Sequence, residues 1–260
     1  MAKYVQLGAV RTWYDERGMG EPLVLLHPGM FDARAFDPSI GPLAGRFRVF
    51  TPERRAHGHT PDVEGPITYE FMAQDTIAFL EIVVGGPARL MGHSDGAIVA
   101  LLTAIRRPDL VDRLVVVSGV FHLDGWAPET TKASSLTLDD AAAEFFATAY
   151  GEVSPDGRDH FPVVLNKMAR LHEEGPTLTT SDLRRITTRT LVMVGDDDEV
   201  VLEHAIAMYR ALSKAELAVV PGTSHGLLVE KPALCNQVIL EFLTTAPVPT
   251  AAPIRRADGS

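Results

Sequence analysis

Five residues of this 260-residue chain, Gly92-His93-Ser94-Asp95-Gly96, have the types and spacing of a serine held out on a tight turn. They follow a short apolar run, Ala88 to Met91, and precede a helix-forming run, Ala97 to Ile105. Glycine at both ends permits a turn too tight for side chains with a Cβ, which pushes the serine above the sheet edge. A serine so placed attacks a carbonyl carbon when a base takes its proton and an oxyanion site receives the developing charge. By itself the pattern also fits an ordinary strand-to-helix turn, so partners elsewhere must decide. Two downstream segments offer them: Gly195-Asp196-Asp197-Asp198-Glu199, and Pro221-Gly222-Thr223-Ser224-His225-Gly226. A histidine beside the serine, oriented by a carboxylate, is the base such chemistry needs.

These parts need a frame, and the chain predicts one. Val5–Val10 and Arg11–Asp15 read as a hairpin, and Pro22–Leu26, Phe47–Thr51, Leu114–Gly119, Thr190–Gly195 and Ala215–Val220 as strands, besides the strand into Ser94. Helical spacing covers Thr68–Val83, Ala97–Arg106, Leu202–Leu212 and Pro232–Phe242. Unbroken apolar strands alternating with helices predict an α/β fold with a mostly parallel sheet covered on both faces. The acidic run and the His225 turn each leave the end of a strand, so both fall at the carboxyl edge that carries Ser94, where ligands bind. Residues 120–189 break the alternation, with helical stretches at Asp139–Tyr150 and Asp159–Glu174, and predict a helical cap inserted into a core of residues 1–119 and 190–245. The Pro- and Ala-rich residues 246–260 predict a flexible tail.

With these segments in place, the chain resembles the α/β-hydrolase fold proteins over nearly its whole ordered length. The resemblance implies the order Ser, Asp, His along the chain. Its G-x-x-D pattern selects Asp198, with Asp197 as runner-up and Asp196 as a distant third. Its His followed by Glu-x-Pro matches His225 followed by Glu230-Lys231-Pro232. Ser94, Asp198 and His225 are thereby implied as a catalytic triad. The oxyanion hole is implied to use the N–H of Asp95 and one from His27-Pro28-Gly29-Met30. Proline has no N–H, so that donor is Gly29, with Met30 as the alternative. Serine rather than aspartate at position 94 sets the chain apart from haloalkane dehalogenases and epoxide hydrolases. Pro28-Gly29-Met30 together with Gly-His-Ser-Asp-Gly resembles the valacyclovirase, or biphenyl-hydrolase-like, branch, where the acidic residue after the serine is associated with α-amino esters. Asp95 is thus expected either to face an ammonium group or to turn away and bond backbone in the elbow.

A small carboxylic ester is the expected substrate, with no cofactor and no metal. Carbon–carbon bond hydrolysis, cofactor-free perhydrolysis and non-catalytic ligand binding are the alternatives. Phe121 and Trp126 are expected either to line the substrate pocket or to pack the cap. His27, His57, His59 and His93 read as loop or packing residues; His122, His160 and His172 fall in or beside the cap, where nothing singles one out. A formal charge of −10 argues against a nucleic-acid partner. No apolar run approaches the ~20 residues that cross a bilayer. The N-terminus lacks the apolar core of a signal peptide, and the lone Cys235, read as a buried small hydrophobe, cannot form an internal disulfide; both point to the cytoplasm.

Overall fold

The computed structural model describes residues 3–128 and 140–254. Eight strands form one sheet: β1 (Lys3–Leu7), β2 (Val10–Arg17), β3 (Pro22–Leu26), β4 (Arg48–Pro52), β5 (Ala88–His93), β6 (Val111–Val117), β7 (Arg189–Gly195) and β8 (Ala215–Val220). Their order is β1-β2-β4-β3-β5-β6-β7-β8. Pairing is antiparallel from β1 through β2 to β4 and parallel across the rest.

Among the described residues the α-helices are α1 (Asp37–Ala44), α2 (Tyr69–Phe79), α3 (Asp95–Arg106), α4 (Asp140–Gly151), α5 (Phe161–Glu174), α6 (Thr180–Leu183), α7 (Leu202–Ala211), α8 (Leu227–Glu230) and α9 (Pro232–Thr244). Strand alternation sorts the core into two layers. Leu90, Leu114, Val116, Val192 and Val194 point toward α2, α3 and α7. Met91, Val115, Val117, Leu191 and Met193 point toward α1, α8 and α9. Both faces are therefore apolar, which explains why the central strands read as unbroken β-branched runs.

Between β6 and β7 the described residues add helices and no strand to the sheet. Tyr150, Phe161, Val164, Met168 and Leu171 of this insertion join the core layer that holds α2 and α3. Polar ties add to that packing: Lys167 Nζ donates to Asp62 at 2.7 Å, and Arg34 Nη1 to Glu152 at 2.6 Å. The expected helix at Asp159–Glu174 begins with a 3-10 turn at Arg158–His160, and the start of Asp139–Tyr150 lies outside the described residues. So does the end of the tail, residues 255–260. Elsewhere the structure departs from expectation in several places: the hairpin turns at Gly8-Ala9, so Val10 opens β2 instead of ending the first strand, and β6 runs Val111–Val117 instead of Leu114–Gly119. Helix α1 was not expected, because Pro38, Gly41 and Pro42 hide its pattern. The helix expected to end at Val83 finishes as a π-turn over Leu80–Val84, closed by Gly85 in the left-handed region. Helix α3 begins at Asp95, not Ala97. No helix of the described residues is long and apolar enough to cross a membrane.

Phe50 is fully buried between Tyr14 and Phe79 on the α2 side. Phe50→Ala should lower the unfolding free energy by about 3–5 kcal/mol, read as a reduced urea midpoint at unchanged slope.

Candidate active site

Ser94 sits between the last residue of β5 and the first of α3, with φ 55° and ψ −120°. A side chain at positive φ is costly, and the neighbourhood enforces it. The Ser94 N–H donates to Val117 O at 2.9 Å, while Ser94 O accepts from the N–H groups of Ala97 and Ile98. The flanking glycines are required by space. A Cβ on Gly92 would lie 2.1 Å from Gly96 O, and one on Gly96 2.0 Å from Leu26 O.

His225 closes on this serine from the turn after β8. Its Nε2 lies 2.9 Å from Ser94 Oγ, and its Nδ1 2.8 Å from Asp198 Oδ1. With Nδ1–H donating to the carboxylate, Nε2 is left to accept the serine proton. The Asp198 side chain is fully buried. It also accepts from Ser118 Oγ at 2.5 Å and from the N–H groups of Gly195 and Val200 at 3.1 Å. Burial opposes its charge, but His225 and these donors hold its carboxyl below the ordinary range. Burial likewise opposes the imidazolium of His225. The Asp198 hydrogen bond and charge outweigh it and raise His225 above its ordinary value of 6.5. The exposed Asp196 and Asp197 tie the neighbouring turn instead, through Thr223 N to Asp196 Oδ1 at 3.1 Å and Asp197 N to Thr223 O at 3.0 Å.

Residues 23–238 match the alpha/beta hydrolase family. The chain belongs to that family. It is 25% identical to the (E)-2-((N-methylformamido)methylene)succinate hydrolase of Acinetobacter baylyi, over 95% of this chain and all of the relative. It is 27% identical to an sn-1-specific diacylglycerol lipase of Mus musculus, over 85% of this chain and 80% of the lipase. Among solved structures it resembles a meta-cleavage product hydrolase, with TM-score 0.77, 22% identity and coverage of 94% of this chain and 98% of the other.

Around this hydrolase's serine, the loop after β3 lies against the start of α3. The ring of His27, buried, is held by Arg54, whose Nη2 also donates to Pro28 O at 3.0 Å. Burial and the Arg54 charge push His27 well below its ordinary value, so it stays neutral. Met30 has φ 60°. Asp95, the first helical residue, has an N–H with no intrahelical acceptor. Its carboxylate is neither aimed at elbow backbone nor open to solvent. Oδ1 accepts from Tyr69 Oη at 2.7 Å and Oδ2 from His172 Nε2 at 3.0 Å. Burial works against the charge, yet His172, Arg54 and Tyr69 hold the carboxyl far below its usual range. A Cβ on Gly29 would lie 2.1 Å from Asp95 Oδ2, so the carboxylate rests on Gly29 itself.

The remaining expected positions separate into wall and scaffold. The Trp126 ring centre lies 5.9 Å from that of His225. Phe121 stacks on His204 at 4.0 Å, and its N–H donates to His204 Nε2 at 3.0 Å, which makes it part of the packing. His160 bonds Asp62 and His59 bonds Glu53, both away from the serine. Two contributors, His172 and His93, had no individual signal in the chain, and a third, Glu230, had one only as the first residue of the Glu-x-Pro that follows His225. His172 is singled out by Asp95. His93 bonds His225 O through Nε2 at 2.9 Å, and Glu230 accepts from Ser224 N and Oγ at 2.7 and 2.6 Å, which fixes the turn that carries His225.

Gly96→Ala should lose both stability and Ser94 placement, because its methyl would meet backbone rather than a movable side chain. A drop of about 1–3 kcal/mol in unfolding free energy is expected, with slowed modification of Ser94 by an activated-serine probe.

Proposed function

We propose that the protein is a serine hydrolase that cleaves a small carboxylic ester through an acyl-enzyme. The hydrogen-bonded chain Asp198–His225–Ser94 carries the reading. In the proposed cycle Ser94 Oγ attacks the ester carbonyl while His225 Nε2 takes its proton and Asp198 steadies the imidazolium. The N–H of Asp95 and that of Gly29 or Met30 receive the oxyanion. His225 then protonates the leaving alcohol, and water activated by the same imidazole releases the acid. No cofactor takes part. The insertion, residues 120–189, is proposed to cap the pocket, with Trp126 as a wall.

The α-amino ester preference does not fit this site well. Both Asp95 oxygens are engaged, and His172 and Arg54 are its nearest cations, so an ammonium group meets no uncompensated anion. We propose an acyl group without charge. Carbon–carbon bond hydrolysis uses the same three residues and stands second; its support is that a meta-cleavage product hydrolase shares this fold along 94% of the chain.

An activated-serine probe should label the protein at Ser94, and Ser94→Ala should abolish labelling and lower kcat by about 10⁶-fold. Asp198→Asn should lower kcat by about 10⁴-fold through loss of the correct tautomer. On a panel of short acyl esters, amino-acid esters and ring-cleavage dienones, short acyl esters should turn over fastest; a faster dienone would favour the second reading. Asp95→Asn should change hydrolysis of an amino-acid ester and of its uncharged analogue by equal factors, and a loss confined to the amino ester would restore the ammonium site. His225 must be neutral to act. Because its value is raised above 6.5, activity should fall as pH drops through a midpoint above 6.5.

A further inference from the structure

The Asp95 carboxylate is badly placed for the chemistry just described. It rests on Gly29, one of the two proposed loop donors, and its own N–H is the other oxyanion donor. A fixed negative charge there opposes the negative charge that develops in the transition state, in a site where water screens it little. Three groups offset it: the Arg54 guanidinium acts through space, and two side chains bond the carboxylate directly. Tyr69 Oη donates to Oδ1 from α2, and His172 Nε2 donates to Oδ2 from α5. Tyr69 supplies a dipole; His172 can supply a full charge. Helix α5 delivers that histidine with Met168 one turn earlier, whose Cε comes within 3.3 Å of a Cβ built on Gly29. One face of α5 thus touches both the oxyanion loop and the carboxylate beside it.

We propose that His172 is a positioning residue that neutralises Asp95 beside the oxyanion site, so that turnover by Ser94 requires His172 in its protonated form. This rests on the serine-esterase reading above. The groups around His172 leave it as the titrating member. Asp95 faces it from α3 and Tyr69 from α2, and the Tyr69 hydroxyl, buried against Asp95, is pushed well above its ordinary value. Arg54 faces it from the loop after β4 and, although burial lowers it to about 10, keeps its charge at neutral pH. His57, near Arg54, is buried and lowered to about 4, so it stays neutral. Burial disfavours the His172 charge, but Asp95 outweighs this and raises it above 6.5. Activity therefore falls as pH rises through that raised value, while the His225 requirement makes it fall on the acid side. Asp95 also adds to the raised value of His225, so its removal shifts the acid limb downward.

The experiment measures kcat and KM for a short p-nitrophenyl ester against pH in the wild type, His172→Gln, Asp95→Asn and the double variant, alongside probe labelling of Ser94. The wild type should give a bell. His172→Gln should lower kcat about tenfold at the optimum, mostly in kcat rather than KM, and should erase the alkaline limb. Adding Asp95→Asn to His172→Gln should recover most of that loss, because no charge is left to compensate. Lys167→Met cuts another tie between α5 and the core without touching Asp95, and should leave the alkaline limb in place. The proposal is overturned if His172→Gln keeps the alkaline limb, if Asp95→Asn gives the double variant no recovery, or if Lys167→Met reproduces the His172→Gln profile. A wild type that neither labels at Ser94 nor turns over the ester overturns the esterase reading itself, a result separable from the other three.

Discussion

The close contact between the start of α3 and the end of β3 sets the distances on which this site depends. Gly96 packs so tightly on the carbonyls of Leu26 and His27 that a Cβ would lie 2.0 and 2.6 Å from them. Leu26 and His27 lead directly into Pro28, Gly29 and Met30. One backbone contact therefore fixes the spacing between the serine turn and the loop proposed to receive the oxyanion, with no side chain able to adjust it. Rigid backbone is the right material for this, since an oxyanion donor that must move at the moment of reaction loses much of its worth.

Most of the frame was legible because strand periodicity and turn chemistry agree in the central strands. Pro22–Leu26 and Ala215–Val220 have the predicted ends. Helix α1 escaped because Pro38 stands in its first turn and Pro42 and Gly41 within it, and local propensity gives no sign that burial of Ile40 and Leu43 overrides them. The site followed the same division. Ser94, Asp198 and His225 sit on turns whose glycines and strand ends mark them. Glu230 was marked only by its place in the Glu-x-Pro after His225; Ser118, His93 and His172 are ordinary residues until the fold brings them within hydrogen-bond reach, and no spacing rule links His172 to a carboxylate 77 positions away.

Two adjacent histidines show how partners rather than burial decide protonation. The rings of His93 and His225 lie 5.4 Å apart; His93 is buried and His225 is partly buried. Burial, with the nearby charge of His225, pushes His93 down to about 3. Its Nε2 meets a backbone carbonyl, which accepts a proton's hydrogen bond but offers no charge. His225 meets a buried carboxylate and is raised. The two shifts support each other. A second imidazolium beside His225 would oppose the one that forms in the proposed cycle, so a permanently neutral His93 can brace the turn without an electrostatic cost.

The insertion is bound to the core mainly by apolar contact, and this bears on how the pocket behaves. Arg34 and Glu152 form an exposed pair, of a kind worth about 0–1 kcal/mol. Phe161, Val164, Met168 and Leu171 of α5 are buried in the same layer as α2 and α3, and burying such side chains is worth roughly 1.5–3 kcal/mol each. Lifting α5 away would expose several of them together, a cost comparable to a large part of a domain's net stability. The α5 face that meets Gly29 and Asp95 is thus a fixed wall rather than a moving lid. A fixed wall suits an electrostatic task, because the charge on His172 can compensate Asp95 only if its distance does not drift. The same packing that closes the core under α5 also holds His172 against the carboxylate next to Ser94, where the proposed compensation requires it.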